Sequence, residues 1–141
     1  MCLFCEVVER KVRAEVVYED ETSMAFLDHR PLFVGHTLLV PKEHHETLAD
    51  LPPALVKPFF ATAQLLARCV QTAFEAQGTF VAMNNIVSQS VPHLHLHVVP
   101  RRRKDGLRGF FWPRTKYASP EEMAETGERL RTALAKWEEA G

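Results

Sequence analysis

The order of elements predicts an α+β fold: short strands fill the first third of the chain, a long helix follows, and two further strands precede a last helix. Two observations carry this reading. Apolar and polar residues alternate in short runs, the signature of half-buried strands. Between Leu51 and Gln77 the period changes, and Leu55, Phe59, Leu66, Val70 and Phe74 recur at helical spacing. The expected architecture is an antiparallel sheet of about five strands, covered by a long central helix and a C-terminal helix.

Val16–Glu19 and Met24–Leu27 flank the acidic turn Asp20-Glu21-Thr22, which predicts a hairpin. Residues 30–35 form a loop. His36–Val40 is a third strand, ended by Pro41. In the helix over 51–77, Pro52 and Pro53 suit the first turn, Pro58 predicts a kink or a later start, and Gly78 is a natural stop. Strands four and five are expected at Thr79–Asn84 and Val91–Pro100, joined by the short linker Asn85–Ser88. Residues 101–118 read as a loop. Ser119 as N-cap, Pro120 as first helical residue and Glu122 as capping-box partner open a helix over about 119–139. Met123, Leu130, Leu134 and Trp137 form its apolar stripe.

A chain of 141 residues predicts one domain over 1–141, large enough to bury a core without disulfides. A net charge of −1 gives no ground for a nucleic-acid or anionic-membrane partner. No apolar run reaches the length of a membrane span, and Met1–Glu6 lacks the basic-then-apolar pattern of a secretion signal. With three cysteines in such a chain, the expectation is a reducing, cytoplasmic compartment and no structural disulfide. Cys69, among Leu66, Val70 and Ala73, reads as a core thiol.

The chemistry concentrates in His93-Leu94-His95-Leu96-His97. Strict alternation puts three imidazoles on one face and the leucines on the other. Alternate residues on a strand lie about 6.6 Å apart and i, i+4 residues about 13 Å apart, so these three side chains do not form one metal site. A polyanion laid along the strand fits better. Neutral imidazole is a good nucleophile near pH 7, and attack on phosphorus divides one hard displacement into two easier steps. A second histidine can protonate the leaving atom. Ser90 and Gln89, just before the strand, are placed to contact a phosphate or leaving group.

The run His93 to Val99 resembles the signature of the histidine triad (HIT) family, in which three histidines alternate with apolar residues. Gln89-Ser90-Val91, Gly35-His36-Thr37-Leu38-Leu39-Val40-Pro41-Lys42 and Phe26-Leu27-Asp28 match further motifs of that family, over residues 2 to about 113. The tract Gly106–Arg114 resembles bacterial members nearer the fragile-histidine-triad and diadenosine-polyphosphate-hydrolase side. The resemblance implies that His95 is the nucleophile carrying an AMP-like group, that His36 orients and tunes it, and that His97 contacts the phosphate. His93 would support His95 through its backbone carbonyl. Asp28 falls where ribose hydroxyls bind, Phe26 and Leu27 where a purine is sandwiched, and Asn84 or Asn85 near the α-phosphate or ribose. One departure stands out: the family's loop before Gln-Ser-Val contains glycine, whereas this chain has Asn85-Ile86-Val87-Ser88.

Cys2-Leu3-Phe4-Cys5 offers two thiolates, and tetrahedral zinc needs two further ligands. The resemblance implies them: His44, with His45 as the adjacent competitor, and His93. The implied site is a structural zinc on Cys2, Cys5, His44 and His93, linking the N-terminus to the catalytic strand. Arg101-Arg102-Arg103-Lys104, with Arg108, Arg114 and Lys116, would draw in a polyphosphate. Trp112-Pro113 resembles a family element near a neighbouring subunit's active site and implies a homodimer.

The expectation is therefore a nucleotide hydrolase or transferase cleaving at the α-phosphate of a purine nucleotide, such as a diadenosine polyphosphate or an AMP phosphoramidate. A nucleotide-binding regulatory protein with incidental activity is the rival from another class. A hydrolase whose zinc activates water is a third reading, and it needs an open coordination position that two cysteines and two histidines would close.

Overall fold

The computed structural model describes residues 2–107 and 114–140, the last three of these by backbone alone. The expectation of one domain over 1–141 meets two compact units, residues 1–105 and 106–141. The first holds a short helix α1 (Leu3–Val8), strands β1 (Val16–Glu19), β2 (Ser23–Leu27) and β3 (Thr37–Pro41), the long helix α2 (Pro53–Ala73), and strands β4 (Gly78–Ala82) and β5 (Leu96–Arg101). The second contains helix α3 (Pro120–Ala140). The sheet is antiparallel throughout, in the order β1-β2-β3-β5-β4.

Each face of the sheet has its own core. Ala25, Leu39, Leu94, Leu96 and Val98 pack with Phe59, Ala63, Leu66 and Val70 of α2. Met24, Phe26, Leu38 and Val40 point the other way and pack with Phe4 and Val7 of α1. Every residue of β3 is therefore buried, and so are the first four of β2. The sequence predicts helix cover but not α1. Its six residues bury only one apolar pair, Phe4 and Val7, and span under two turns, too short for a helical period to show.

Helix α2 starts at Pro53 and runs through Pro58 without a break. It ends earlier than Gly78: Glu75 takes the left-handed conformation at φ 49°, with Ala76 N–H donating to Gln71 O at 2.9 Å and Glu75 N–H to Thr72 O at 3.3 Å. That is a Schellman closure on a non-glycine residue, and Gly78 opens β4 instead. Cys69 is exposed, not a core thiol, because it lies off the Phe59–Ala63–Leu66–Val70 stripe. Helix α3 opens as expected, with Ser119 Oγ accepting from Glu122 N–H at 3.1 Å and the Glu122 carboxylate accepting from Ala118 N–H. Its residues Met123, Leu130, Leu134 and Trp137 are exposed.

The histidine segment corrects a further expectation. Ladder pairing begins at Leu96, not Val91, and β4 ends at Ala82, so the connection spans residues 83–95. Pro41, at the end of β3, has no N–H to offer a neighbour, and its carbonyl accepts from His93 Nε2 at 2.8 Å. Leu94 N–H turns instead to His45 O at 2.7 Å.

Two backbone positions bear directly on the site. Gly35 has φ 102°, and a Cβ there would lie 2.5 Å from the Phe74 ring. It allows the 28–36 loop to lean on the end of α2 and turn into His36. In the glycine-free loop, Ile86 at φ 70° and Ser88 at φ 62° adopt the left-handed conformation themselves. Gly35→Ala should destabilise the protein by about 2 kcal/mol, from overpacking and a strained φ together; an unchanged denaturant midpoint would contradict this. Ile86→Gly should act oppositely and raise stability by about 1 kcal/mol through relief of the left-handed strain, measured in the same unfolding assay.

Candidate active site

Two histidine clusters meet at residues 93–97. The first gathers Cys2 and Cys5 from α1, His44 from the segment after β3, and His93. Cys2 Sγ lies 3.4 Å from His93 Nδ1, and Cys5 Sγ lies 3.3 Å from His44 Nδ1 and 3.5 Å from His93 Nδ1. All four ligand atoms lie within 4.8 Å of one another. The donor set fits a soft divalent cation. His93 Nε2–H donates to Pro41 O, so its Nδ1 lone pair faces the two sulfurs. Such a bond to a carbonyl is the usual support for a metal-bound imidazole. Burial and the adjacent Cys2 push the Cys5 thiol up to about 11, because two neighbouring thiolates repel; a cation between them removes that penalty. His44, not His45, supplies the second ring. His45 Nε2 lies 3.4 Å from Glu43 Oε2.

The second cluster lines a cleft of about 760 Å³. One end holds Ser90, His95 and His97, Asp28 and His29 stand beside them, and Phe4, Val7, Val12 and Phe26 form an apolar wall. His95 is buried, and its Nδ1–H donates to His93 O at 2.8 Å. A carbonyl can only accept, so Nδ1 carries a proton, and in the uncharged imidazole the lone pair is on Nε2. Phe4 meets the His95 ring edge-on at 5.1 Å. His97 lies 5.1 Å from His95, ring to ring, and its Nδ1 is 2.9 Å from His36 Nε2. Burial, then repulsion from His95 and His36, holds His97 down at about 4. Burial likewise lowers His36 and His93. These three rings are therefore neutral at pH 7.

The sequence-predicted residues divide into those at the cleft and those behind it. Phe26, Leu27, Asp28, Ser90, His95 and His97 line the cleft. His36 sits behind His97, and His93 connects the two clusters. Asn84, Asn85 and Gln89 are not among the lining residues. Asn84 Nδ2 donates to Ser88 O, Asn85 Oδ1 accepts from Leu48 N–H, and Gln89 bridges Ile86 N–H and Glu46 O, so all three brace the 83–95 connection. Arg101 pairs with Asp105, and Arg102 donates to the carbonyls of Phe74 and Glu75 at the end of α2; neither lines the cleft. Arg108 and Trp112-Pro113 lie outside the described residues. The cleft residues that sequence reasoning missed, Leu3, Phe4, Val7 and Val12–Glu15, come from α1 and the segment after it. The signal available for them was Cys2-x-x-Cys5: a metal at that pair brings its neighbours to His93.

The model of the HIT domain matches residues 9–104. The chain belongs to the HIT family. An uncharacterized HIT-like protein of Mycobacterium tuberculosis is 38% identical over 144 residues, covering 99% of this chain and 96% of that one. The adenosine 5'-monophosphoramidase of Schizosaccharomyces pombe is 33% identical over 139 residues, covering 94% and 98%. Among solved structures, a HIT-family protein of Bacillus subtilis superposes with a TM-score of 0.82 at 33% identity, covering 96% of this chain and 95% of that one. A zinc-bound histidine triad protein of Mycobacterium smegmatis gives 0.72 at 39% identity, covering 99% and 97%. The HIT fold and its α+β class are thus shared over nearly the whole length. No helix among the described residues is long and apolar enough to cross a membrane.

Proposed function

We propose that this HIT protein is a nucleotidyl hydrolase that cleaves at the α-phosphate of a purine nucleotide through a covalent intermediate on His95. The single observation that carries the reading is the bond from His95 Nδ1–H to His93 O. It orients the ring by Nδ1 and leaves Nε2 as the nitrogen that faces the nucleotide-sized cleft. His95 Nε2 attacks the α-phosphorus, and the bond from phosphorus to the leaving nitrogen or oxygen breaks. The leaving atom takes the electron pair and a proton from solvent. Water then attacks the phosphorus, the phosphorus–Nε2 bond breaks with its electron pair returning to His95, and the proton that water gives up balances the one the leaving atom took as the nucleoside monophosphate is released. Asp28 accepts from the ribose hydroxyls, Phe26 and Leu27 flank the base, Ser90 contacts the phosphate, and His97 stabilises the phosphoryl oxygens.

A phosphoramidate of AMP is the favoured substrate class, because the fission yeast relative is named for that activity. Diadenosine polyphosphates share the same reacting centre and differ in leaving group. Cys2, Cys5, His44 and His93 would hold zinc, supported by their geometry and by the zinc-bound mycobacterial relative. Four protein ligands close a tetrahedral shell, so the ion supplies structural cross-linking there. These residues fix α1 against the histidine segment and with it Phe4 against His95.

Wild-type protein should release AMP from adenosine phosphoramidate, and His95→Ala should lose at least about 10³-fold in kcat with its fold intact. Full activity in that variant would remove the covalent mechanism. Purified protein should carry about one zinc per chain by elemental analysis. Cys5→Ser should lose that zinc and unfold at lower temperature; a wild type that is free of zinc and indifferent to chelator in the same melt would overturn the metal reading.

A further inference from the structure

His36 and His97 share a hydrogen bond, and the 2.9 Å between Nε2 and Nδ1 does not by itself say which ring carries the proton. A backbone group decides it. Leu32 N–H donates to His36 Nδ1 at 3.1 Å. An amide only donates, so that nitrogen holds a lone pair. His36 is buried and held neutral, and its one ring proton therefore sits on Nε2. Asp28 Oδ2 lies 3.7 Å from the same nitrogen, a carboxylate beside an N–H. His36 Nε2–H then donates to His97 Nδ1, and neutral His97 carries its own proton on Nε2. His95 is fixed the opposite way by His93 O. The two rings thus offer the cleft unlike groups: a lone pair from His95 and an N–H from His97.

We propose that the Leu32 N–H is a positioning group which, acting through His36, fixes His97 as the Nε2–H tautomer, so that a hydrogen-bond donor meets the phosphate oxygens beside the His95 nucleophile. The consequence for turnover rests on the nucleotidyl-transfer reading; the tautomer itself does not. With the proton on Nδ1 instead, His97 would turn a lone pair toward an anionic oxygen. The relay also accounts for the shape of the 28–36 loop. Asp28 N–H donates to His36 O at 2.9 Å and His36 N–H to Phe33 O at 3.0 Å, so the chain folds back and brings the Leu32 amide over the ring. Asp28, His36 and His97 converge within 4.8 Å, but the proton on His36 Nε2 occupies the place that a cation would need.

Long-range proton–nitrogen correlation spectra of protein labelled with ¹⁵N-histidine read each tautomer directly. Wild-type His97 should appear protonated on Nε2 and His95 on Nδ1. His36→Gln and His36→Glu then form an isosteric pair. A glutamine tip can accept from Leu32 N–H and donate to His97, whereas a glutamate tip can only accept. His36→Gln should retain the His97 Nε2–H form. His36→Glu should put a proton on His97 Nδ1 and turn over at least about 30-fold more slowly than His36→Gln, in kcat more than in KM. A wild-type His97 protonated on Nδ1, or equal kcat in the two variants, would overturn the proposal. Absence of turnover in the wild type would sink the functional reading, and the spectra would still decide the tautomer.

Discussion

His93 is fully buried, and each of its polar groups serves a different part of the molecule. Its Nε2–H ties it to Pro41 O at the end of β3. Its Nδ1 faces the sulfurs of Cys2 and Cys5. Its carbonyl accepts from His95 Nδ1–H. One residue therefore joins the sheet, the thiol–imidazole cluster and the cleft. Removing any of these bonds would leave a buried polar group unpaired, at about 1–3 kcal/mol each. The same bonds give His93 and His95 their tautomers, so a structural constraint is also a chemical one.

The cleft depends on this junction through α1. That helix is too short to persist alone. It is held by Phe4 and Val7 against β2 and β3, and by two cysteines against His44 and His93. Phe4 touches both sides of the problem, meeting Phe26 of the cleft wall at 5.4 Å and the His95 ring at 5.1 Å. Cys2 and Cys5 thus bear on the cleft indirectly, through the helix that holds Phe4 against a wall and a ring. On the far side of His95, the 28–36 loop does comparable work for His97, and Gly35 lets that loop close onto Phe74.

Much of this was legible in the amino-acid sequence, for physical reasons. The alternation around His93–His97 fixed the faces: the leucines pack on α2, and the histidines turn toward α1. Of the thiol–imidazole cluster, Cys2-x-x-Cys5 showed only its two sulfurs; His44 and His93 followed from the family resemblance, because a local spacing does not reach across roughly forty to ninety residues. Boundaries were less legible. The strand at Leu96 starts late because Pro41 lacks an N–H, a long-range effect that a local period cannot register. Glu75 ends α2 because tertiary bonds, including those from Arg102, support a left-handed residue that composition would assign to Gly78. Asn85 and Gln89 look like ligands for a phosphate, but their partners at Leu48 and Glu46 lie roughly forty residues away in sequence. The basic run that starts at the last residue of β5 reads as an anion attractor until Asp105 and the carbonyls at the end of α2 are seen to hold its first two arginines.

The central claim is that His95 carries the nucleotide. The direct measurement is to quench turnover of adenosine phosphoramidate in denaturant at alkaline pH, where a phosphohistidine bond survives, and to locate the adduct by peptide mass spectrometry. An adenylyl group on the peptide containing His93–His97, with fragment ions placing it on His95, is the result this account predicts. An adduct on another histidine would contradict it, as would rapid turnover with no adduct in any quench interval.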